Sequence, residues 1–275
     1  MYLCNFMIFK KSYIILLLFA LVACNKKYND SLKSNSVEAQ TQKADEYYNK
    51  KKYDKAIPIY ELLLTVLKGQ KSVEEIYYKY AKAQYLNGSY ELAAFYLKSF
   101  YTTYYNSKYA EETSFLEALS YYKQSPRYSL EQVNTQKAIS IFQQFIDKYP
   151  KSEYMQEANS KMDELRGKLR KKAYESAYLY YKIGQYNAAS VAFKNFMNEF
   201  PEYEDVEKID YLILKSLYRY AEQSYKFKKS ERYKEEMKEF ESFKSKYPNS
   251  KYLAELEKEY ILAKSNIENL KKEGL

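Results

Sequence analysis

The chain has no histidine and no tryptophan, and only five glycines, five prolines and two cysteines in 275 residues. Without histidine it lacks the commonest general base and the commonest transition-metal ligand, so no Ser-His, Cys-His or His-rich metal constellation exists in it. Carboxylate-only catalysis stays formally open, but the acidic residues alternate with lysines along helical faces, the pattern of solvated surface with i,i+4 pairs. The chain is therefore expected not to be an enzyme and to need no cofactor or metal. Scarce glycine argues against a parallel sheet with a glycine-rich ligand loop. The missing tryptophan argues against a carbohydrate platform.

What is present is 36 tyrosines and 29% charged residues. Few turn formers and many amphipathic side chains indicate helices joined by short loops. The formal net charge is +9, or +7 once Lys10 and Lys11 are removed, spread along the chain. Such a balance suits anionic lipid headgroups or acidic partners. No basic motif of a DNA- or RNA-binding module occurs, and nucleic acid is not an expected partner.

The N-terminus explains the two basic residues. Lys10 and Lys11 precede an apolar run from Tyr13 to Ala23 that is too short to span a bilayer, which takes about 20 residues. That order is the form of a secretory signal peptide. In "LFALVACNKKYND", Leu21, Val22, Ala23 and Cys24 resemble the bacterial lipobox, so residues 1–23 are expected to be removed and Cys24 lipidated. Met7 is an alternative start. Cys4 lies in the removed part, which leaves no disulfide to form, and the 252 residues from Cys24 onward are enough to bury a core without one. Acyl chains contribute about 0.8 kcal/mol per buried CH₂, so several of them hold the N-terminus in a membrane. Residues 24–37 read as a polar tether with a reach of about 45 Å if fully extended. After Cys24 stand Asn25, Lys26 and Lys27 without an acidic run, which favours attachment facing the periplasm.

An internal repeat sets the architecture. "FQQFIDKYPKSEY" from Phe142, "FKNFMNEFPEYED" from Phe193 and "FESFKSKYPNSKY" from Phe240 share F-x-x-F-x-x-x-[YF]-P. "LKSFYTTYYNSKY" from Leu97 keeps the spacing with Tyr105 in the proline slot, and "YELLLTVLK" from Tyr60 is a fainter copy. Upstream, "NGSYELAAFYL" and "IGQYNAASVAF" begin with a G-x-Y turn followed three residues later by alanine. Small residues recur where paired helices approach closest: Ala44, Ala81, Ala118 and Ala177 on first helices, Ala56, Ala93, Ala138 and Ala189 on second helices. The last copy carries Glu236 at that place. The phenylalanine pairs are spaced i,i+3 and are read as core. Pro150, Pro201 and Pro248 end helices, and Ser152 and Ser250 are N-cap candidates for the next ones.

These small and aromatic positions resemble the tetratricopeptide (TPR) helix-turn-helix unit. The expected fold is all-α, an α-solenoid of about five TPR-like repeats, the last irregular. Repeats 1–3 occupy residues 38–165, repeats 4–5 residues 166–264, and residues 265–275 form a tail. Unit lengths exceed the usual 34 or so residues because of the insertion "KQSPRYSLEQVNTQ" and long first helices. Together with the lipobox, the stretches "SPRYSLEQ", "LRGKLRKKAYESAYLYYKIGQY" and "YPNSKYLAE" resemble the BamD family, TPR lipoproteins of the outer-membrane β-barrel assembly machinery, and look most like the versions found in Bacteroidetes. The resemblance covers essentially the whole chain after Cys24. It implies a scaffold in the outer membrane that holds the POTRA-containing barrel subunit and receives unfolded outer-membrane proteins.

Positions flanking the small residue of each first helix are expected to line a concave peptide-binding groove: Tyr78, Lys82 and Tyr85, Phe115 and Tyr122, and Tyr174, Tyr178 and Tyr181. Tyrosine offers large contact area at low entropy cost and a hydroxyl for a strand's backbone. With so many tyrosines, individual ones also have core and solvent as ordinary places. The resemblance puts the barrel-subunit interface in the C-terminal half, with Arg166, Arg170 and Lys171 as candidates, and Arg127 and Tyr128 in the insertion; a hydrated basic face is the other reading of that helix. Two rival functions remain. A TPR lipoprotein coordinating cell-wall synthesis would favour a coiled-coil segment before the repeats, and no sustained heptad is present. A nutrient-binding lipoprotein would favour a longer chain. Replacing Cys24 by Ala is expected to move the protein from the membrane to the soluble fraction on cell fractionation; membrane association unchanged by Cys24→Ala would remove the anchor from this reading.

Overall fold

The computed structural model describes residues 36–273, and Cys24 and the segment before it lie outside them. Eleven helices follow in order among the described residues. They are α1 (Val37–Asn49), α2 (Tyr53–Val66), α3 (Val73–Leu86), α4 (Tyr90–Thr103), α5 (Ala110–Gln124) and α6 (Val133–Lys148). Then come α7 (Met155–Lys182), α8 (Tyr186–Glu199), α9 (Val206–Glu222), α10 (Lys226–Lys246) and α11 (Leu253–Lys272). Consecutive helices joined by short turns pack as antiparallel pairs, giving five hairpins and a terminal helix, α11, that folds back on α10 to make a further hairpin with it. The stretch from Ser265, expected as a tail, continues α11 to Lys272.

The chain forms two compact units. Among the described residues, one comprises the chain from Ser36 to Pro126 with Gln132–Leu165, the other Arg127–Glu131 with Arg166 to Glu273. Helix α7 contributes its first part to one and its second to the other.

All eight alanines at the helix crossings are fully buried. A larger side chain there would hold the backbones apart, with overpacking typically costing 1–3 kcal/mol, roughly. The repeated phenylalanines Phe142, Phe145, Phe193, Phe196, Phe240 and Phe243 are core as expected. The core of the first unit forms two clusters, one around Tyr60 and Leu63, the other around Leu97, Phe142 and Phe145. In the second, Phe193 and Phe196 pack against Ile209 and Ile213 of α9.

The serines after the helix-ending prolines do not cap. Helices α7 and α11 begin at Met155 and Leu253, and the Ser152 and Ser250 hydroxyls accept from the Tyr154 and Tyr252 amides at 3.0 Å. Ser107 does the same for Tyr109 at 3.1 Å. Each such serine tightens the turn and sets the tyrosine two residues on.

The G-x-Y turns place Gly88 and Gly184 at φ of +82° and +78°. The matching turn between α1 and α2 has Lys51 in the glycine slot, two residues before Tyr53, and Lys51 adopts φ +57°. For a residue with a Cβ that conformation costs roughly 1–2 kcal/mol. Lys51→Gly is expected to stabilise the protein by about 0.5–1 kcal/mol after the entropy of the unfolded glycine is deducted, read as a higher urea midpoint at unchanged slope.

Candidate functional site

The aromatic residues expected to line a groove have a prior task. Tyr78 of α3 stacks on Tyr109 at the entrance to α5, with ring centroids 3.9 Å apart and planes 9° from parallel. Phe115 of α5 stacks on Tyr154 at the entrance to α7, at 4.6 Å and 13°. Tyr174 of α7 lies alongside Tyr203 before α9, at 6.3 Å and 28°. Tyr211 of α9 stacks on Tyr252 at the entrance to α11, at 4.2 Å and 17°. In every case a first helix meets the ring that opens the next first helix, so these pairs are the joints between successive repeats.

Two of the joints carry the same charged clamp. Tyr78 donates its hydroxyl proton to Glu112 at 2.6 Å, and the Lys82 ammonium donates to Glu112 at 2.7 Å and to the Tyr78 hydroxyl at 2.8 Å. Tyr211 donates to Glu255 at 3.1 Å and Lys215 to Glu255 at 2.8 Å. The pattern is Tyr-x-x-x-Lys on one first helix against Tyr-x-x-Glu at the start of the next, within the nearly identical stretches "SKYAEE" and "SKYLAE". Burial, and then hydrogen bonding to Glu112, raises the Tyr78 hydroxyl well above its ordinary range. The Tyr211 hydroxyl is pushed up to about 12 by burial and then by its bond to Glu255. The Glu255 carboxyl is lowered, chiefly by Lys215. The second clamp therefore holds its proton donors against an ionised carboxylate at neutral pH.

The remaining groove candidates fall in different settings. Phe115 is 3% exposed and belongs to the core with Phe142 and Phe145. Tyr78 is likewise buried. Tyr85 is half-buried, edge-on to Tyr90 at 5.7 Å. Tyr122 is half-buried, donates to Glu164, and lies beneath the Lys161 ammonium at 4.9 Å. Lys82 is committed to its clamp.

The second unit brings three candidates into one row. Along α7 the rings of Tyr174 and Tyr178 are 5.9 Å apart and 15° from parallel, and those of Tyr178 and Tyr181 are 6.2 Å apart and 10° from parallel. Tyr203 extends the row at one end, and Tyr186 closes it edge-on at the other. Two ammonium groups sit over it, Lys208 at 5.7 Å from Tyr174 and Lys182 at 4.6 Å from Tyr178. The row rises from the Phe193–Phe196 core and keeps part of each ring open to solvent. It is an amphipathic ridge with cations along it, suited to an extended segment that offers apolar side chains and acceptors.

In the same unit the Arg127–Glu131 segment lies against α7. Lys171 covers the Tyr128 ring at 4.6 Å, and Lys172 donates to the Leu130 carbonyl at 2.8 Å and pairs with Glu131 at 3.5 Å. Arg127, Arg166 and Lys171 are exposed and Arg170 half-buried. Tyr128 and Lys171 are thus brought together. The joint partners Tyr109, Glu112, Tyr154, Tyr203, Tyr252 and Glu255 were not singled out by sequence reasoning, although the recurring S-x-Y after each helix end marks three of those tyrosines.

Repeated helical hairpins joined ring to ring, with an open aromatic row on a first helix, define a TPR-like helical-repeat protein. Solved structures to which the chain is similar include the TPR2AB-domain:pHSP90 complex of yeast Sti1, at 14% identity and a TM-score of 0.38 over 83% of this chain and 98% of that one. A Podospora anserina putative kinesin light chain with nearly identical TPR-like repeats is similar at 13% identity and a TM-score of 0.33, over 79% of this chain and 100% of that one. No curated protein matches the chain in sequence. The chain belongs to the YfiO family of outer membrane lipoproteins, whose model matches residues 34–180 and 168–269. Among the described residues no helix is long and apolar enough to cross a membrane.

The two kinds of tyrosine are separable by experiment. Tyr78→Phe removes a bond to a carboxylate inside a joint and is expected to cost about 1 kcal/mol in urea unfolding. Tyr178→Phe, on the open row, is expected to stay within about 0.5 kcal/mol of wild type. Equal effects at the two positions would mean that the row is as much a structural element as the joints.

Proposed function

We propose that the protein is a non-catalytic scaffold of the outer-membrane β-barrel assembly machinery, held to the membrane by lipid on Cys24 and facing the periplasm. In this reading it binds the POTRA-containing barrel subunit and receives unfolded outer-membrane proteins before they insert. The observation that carries the reading is the match of residues 34–180 and 168–269 to an outer membrane lipoprotein family. A scaffold needs a rigid surface and specific contacts, and a stacked helical array supplies both.

The unfolded client engages the Tyr174–Tyr178–Tyr181 row. Barrel strands alternate apolar and polar residues, so an extended client lays alternate side chains on the rings while its backbone meets hydroxyls and ammonium groups. Tyr122 and Tyr85 of the first unit are a secondary contact; Tyr78, Phe115 and Lys82 act through the joints instead. The barrel subunit engages the basic surface of α7 with the Arg127–Tyr128 segment, where Lys171 already holds Tyr128 in place.

A tagged full-length protein recovered from detergent-solubilised outer membranes tests this. A POTRA-containing barrel protein is expected as the dominant partner, and Arg166→Glu with Lys171→Glu is expected to reduce its recovery at least tenfold. Tyr174→Ala, Tyr178→Ala and Tyr181→Ala combined are expected to weaken crosslinking to unfolded barrel precursors while that recovery persists. Recovery of cell-wall enzymes or a sugar transporter in place of the barrel protein would transfer the function to one of the rival classes.

A further inference from the structure

The core of the last three helices is interrupted by a polar layer. Leu214, Phe240, Phe243 and Leu256 form one cluster; Tyr218, Ala221, Tyr233, Ala263 and Ile267 form another. Between the two, one ionisable residue stands on each helix: Lys215 on α9, Glu236 on α10 and Glu259 on α11, with exposures of 6, 0 and 8%. Glu236 occupies the crossing position that Ala56, Ala93, Ala138 and Ala189 hold in the other hairpins, and like them it is fully buried.

The charges in this layer do not balance. Lys215 is shared between Glu255 and Glu259. Both oxygens of Glu236 and the Oε2 of Glu259 are buried with no hydrogen-bond partner. The layer is faced from α9 by Lys215, Tyr218, Arg219 and Glu222, from α11 by Glu255, Glu259 and Tyr260, from α10 by Tyr233, and from α7 by Tyr181. An ionised Glu236 would lose its hydration and gain only the repulsion of Glu259.

We propose that the α10–α11 hairpin is seated by a proton carried on Glu236. With the proton, the layer holds one ammonium, the Glu259 carboxylate it binds, and a neutral acid. Without it, two buried carboxylates oppose each other and the hairpin loosens from α9. Burial, then the charge of Glu259, pushes the Glu236 carboxyl from its ordinary 4.5 up to about 8. The seated state therefore binds a proton that the loosened state releases. The Glu236 contribution to seating is full below pH 4.5, is lost as pH rises from there to about 8, and is level above that.

Hydrogen exchange on the lipidated full-length protein in detergent, corrected for the intrinsic pH dependence of exchange, tests the proposal. Between pH 5.5 and 8.5 the opening constant of amides in residues 226–272 is expected to rise on the order of a hundredfold, while those of α1–α6 stay nearly unchanged. Glu236→Gln and, independently, Glu236→Ala are expected to flatten that profile. Glu259→Gln is expected to move its midpoint to lower pH by removing the facing charge. A wild-type hairpin whose opening ignores pH, or a slope undiminished in either Glu236 variant, would overturn the proposal.

Discussion

The structure depends on one recurring interaction, the ring of a first helix laid on the ring that opens the next first helix. Within a hairpin, alanines let two helices approach; nothing in that contact says how one hairpin should meet the following one. The pairs Tyr78–Tyr109, Phe115–Tyr154, Tyr174–Tyr203 and Tyr211–Tyr252 supply that information. A flat ring on a flat ring tolerates little change of angle without losing contact area, so each joint fixes the entry direction of the next repeat. The serine bonds that tighten the turns at Tyr109, Tyr154 and Tyr252 help hold the second ring in place.

That dependence explains why the groove divides as it does. A first-helix aromatic close to the next repeat is drawn into a joint and buried, as Phe115 is, or clamped, as Tyr78 is. One or two turns further along the helix the next repeat covers only part of each ring, and Tyr178 and Tyr181 keep an open edge. Open aromatic surface is thus what remains of the first helices after the joints have taken their share.

The hairpins, their crossing alanines and the buried phenylalanines were legible in the sequence because each is a local pattern: three or four residues of spacing place a side chain on one helical face. The odd residue of the series, Glu236, was legible as an exception for the same reason. The joints were not, because they pair residues roughly 30 to 40 positions apart and no periodicity links Tyr78 to Tyr109. Spacing likewise marked Ser152 and Ser250 as helix caps, whereas the helices begin later and the serines serve the turn. Tyr78, Phe115 and Tyr174 all looked equally inward-facing on a wheel. Only the packing of the following repeat distinguishes them.

The clamp that appears at two joints has a consequence for the chain as a piece of modular construction. Tyr78 and Lys82 against "SKYAEE", and Tyr211 and Lys215 against "SKYLAE", are one lock cut twice. A segment ending in either half would find its complement at the other place. At those two points the repeats behave as interchangeable parts, and a hairpin gained or lost between them would leave behind a joint that still closes.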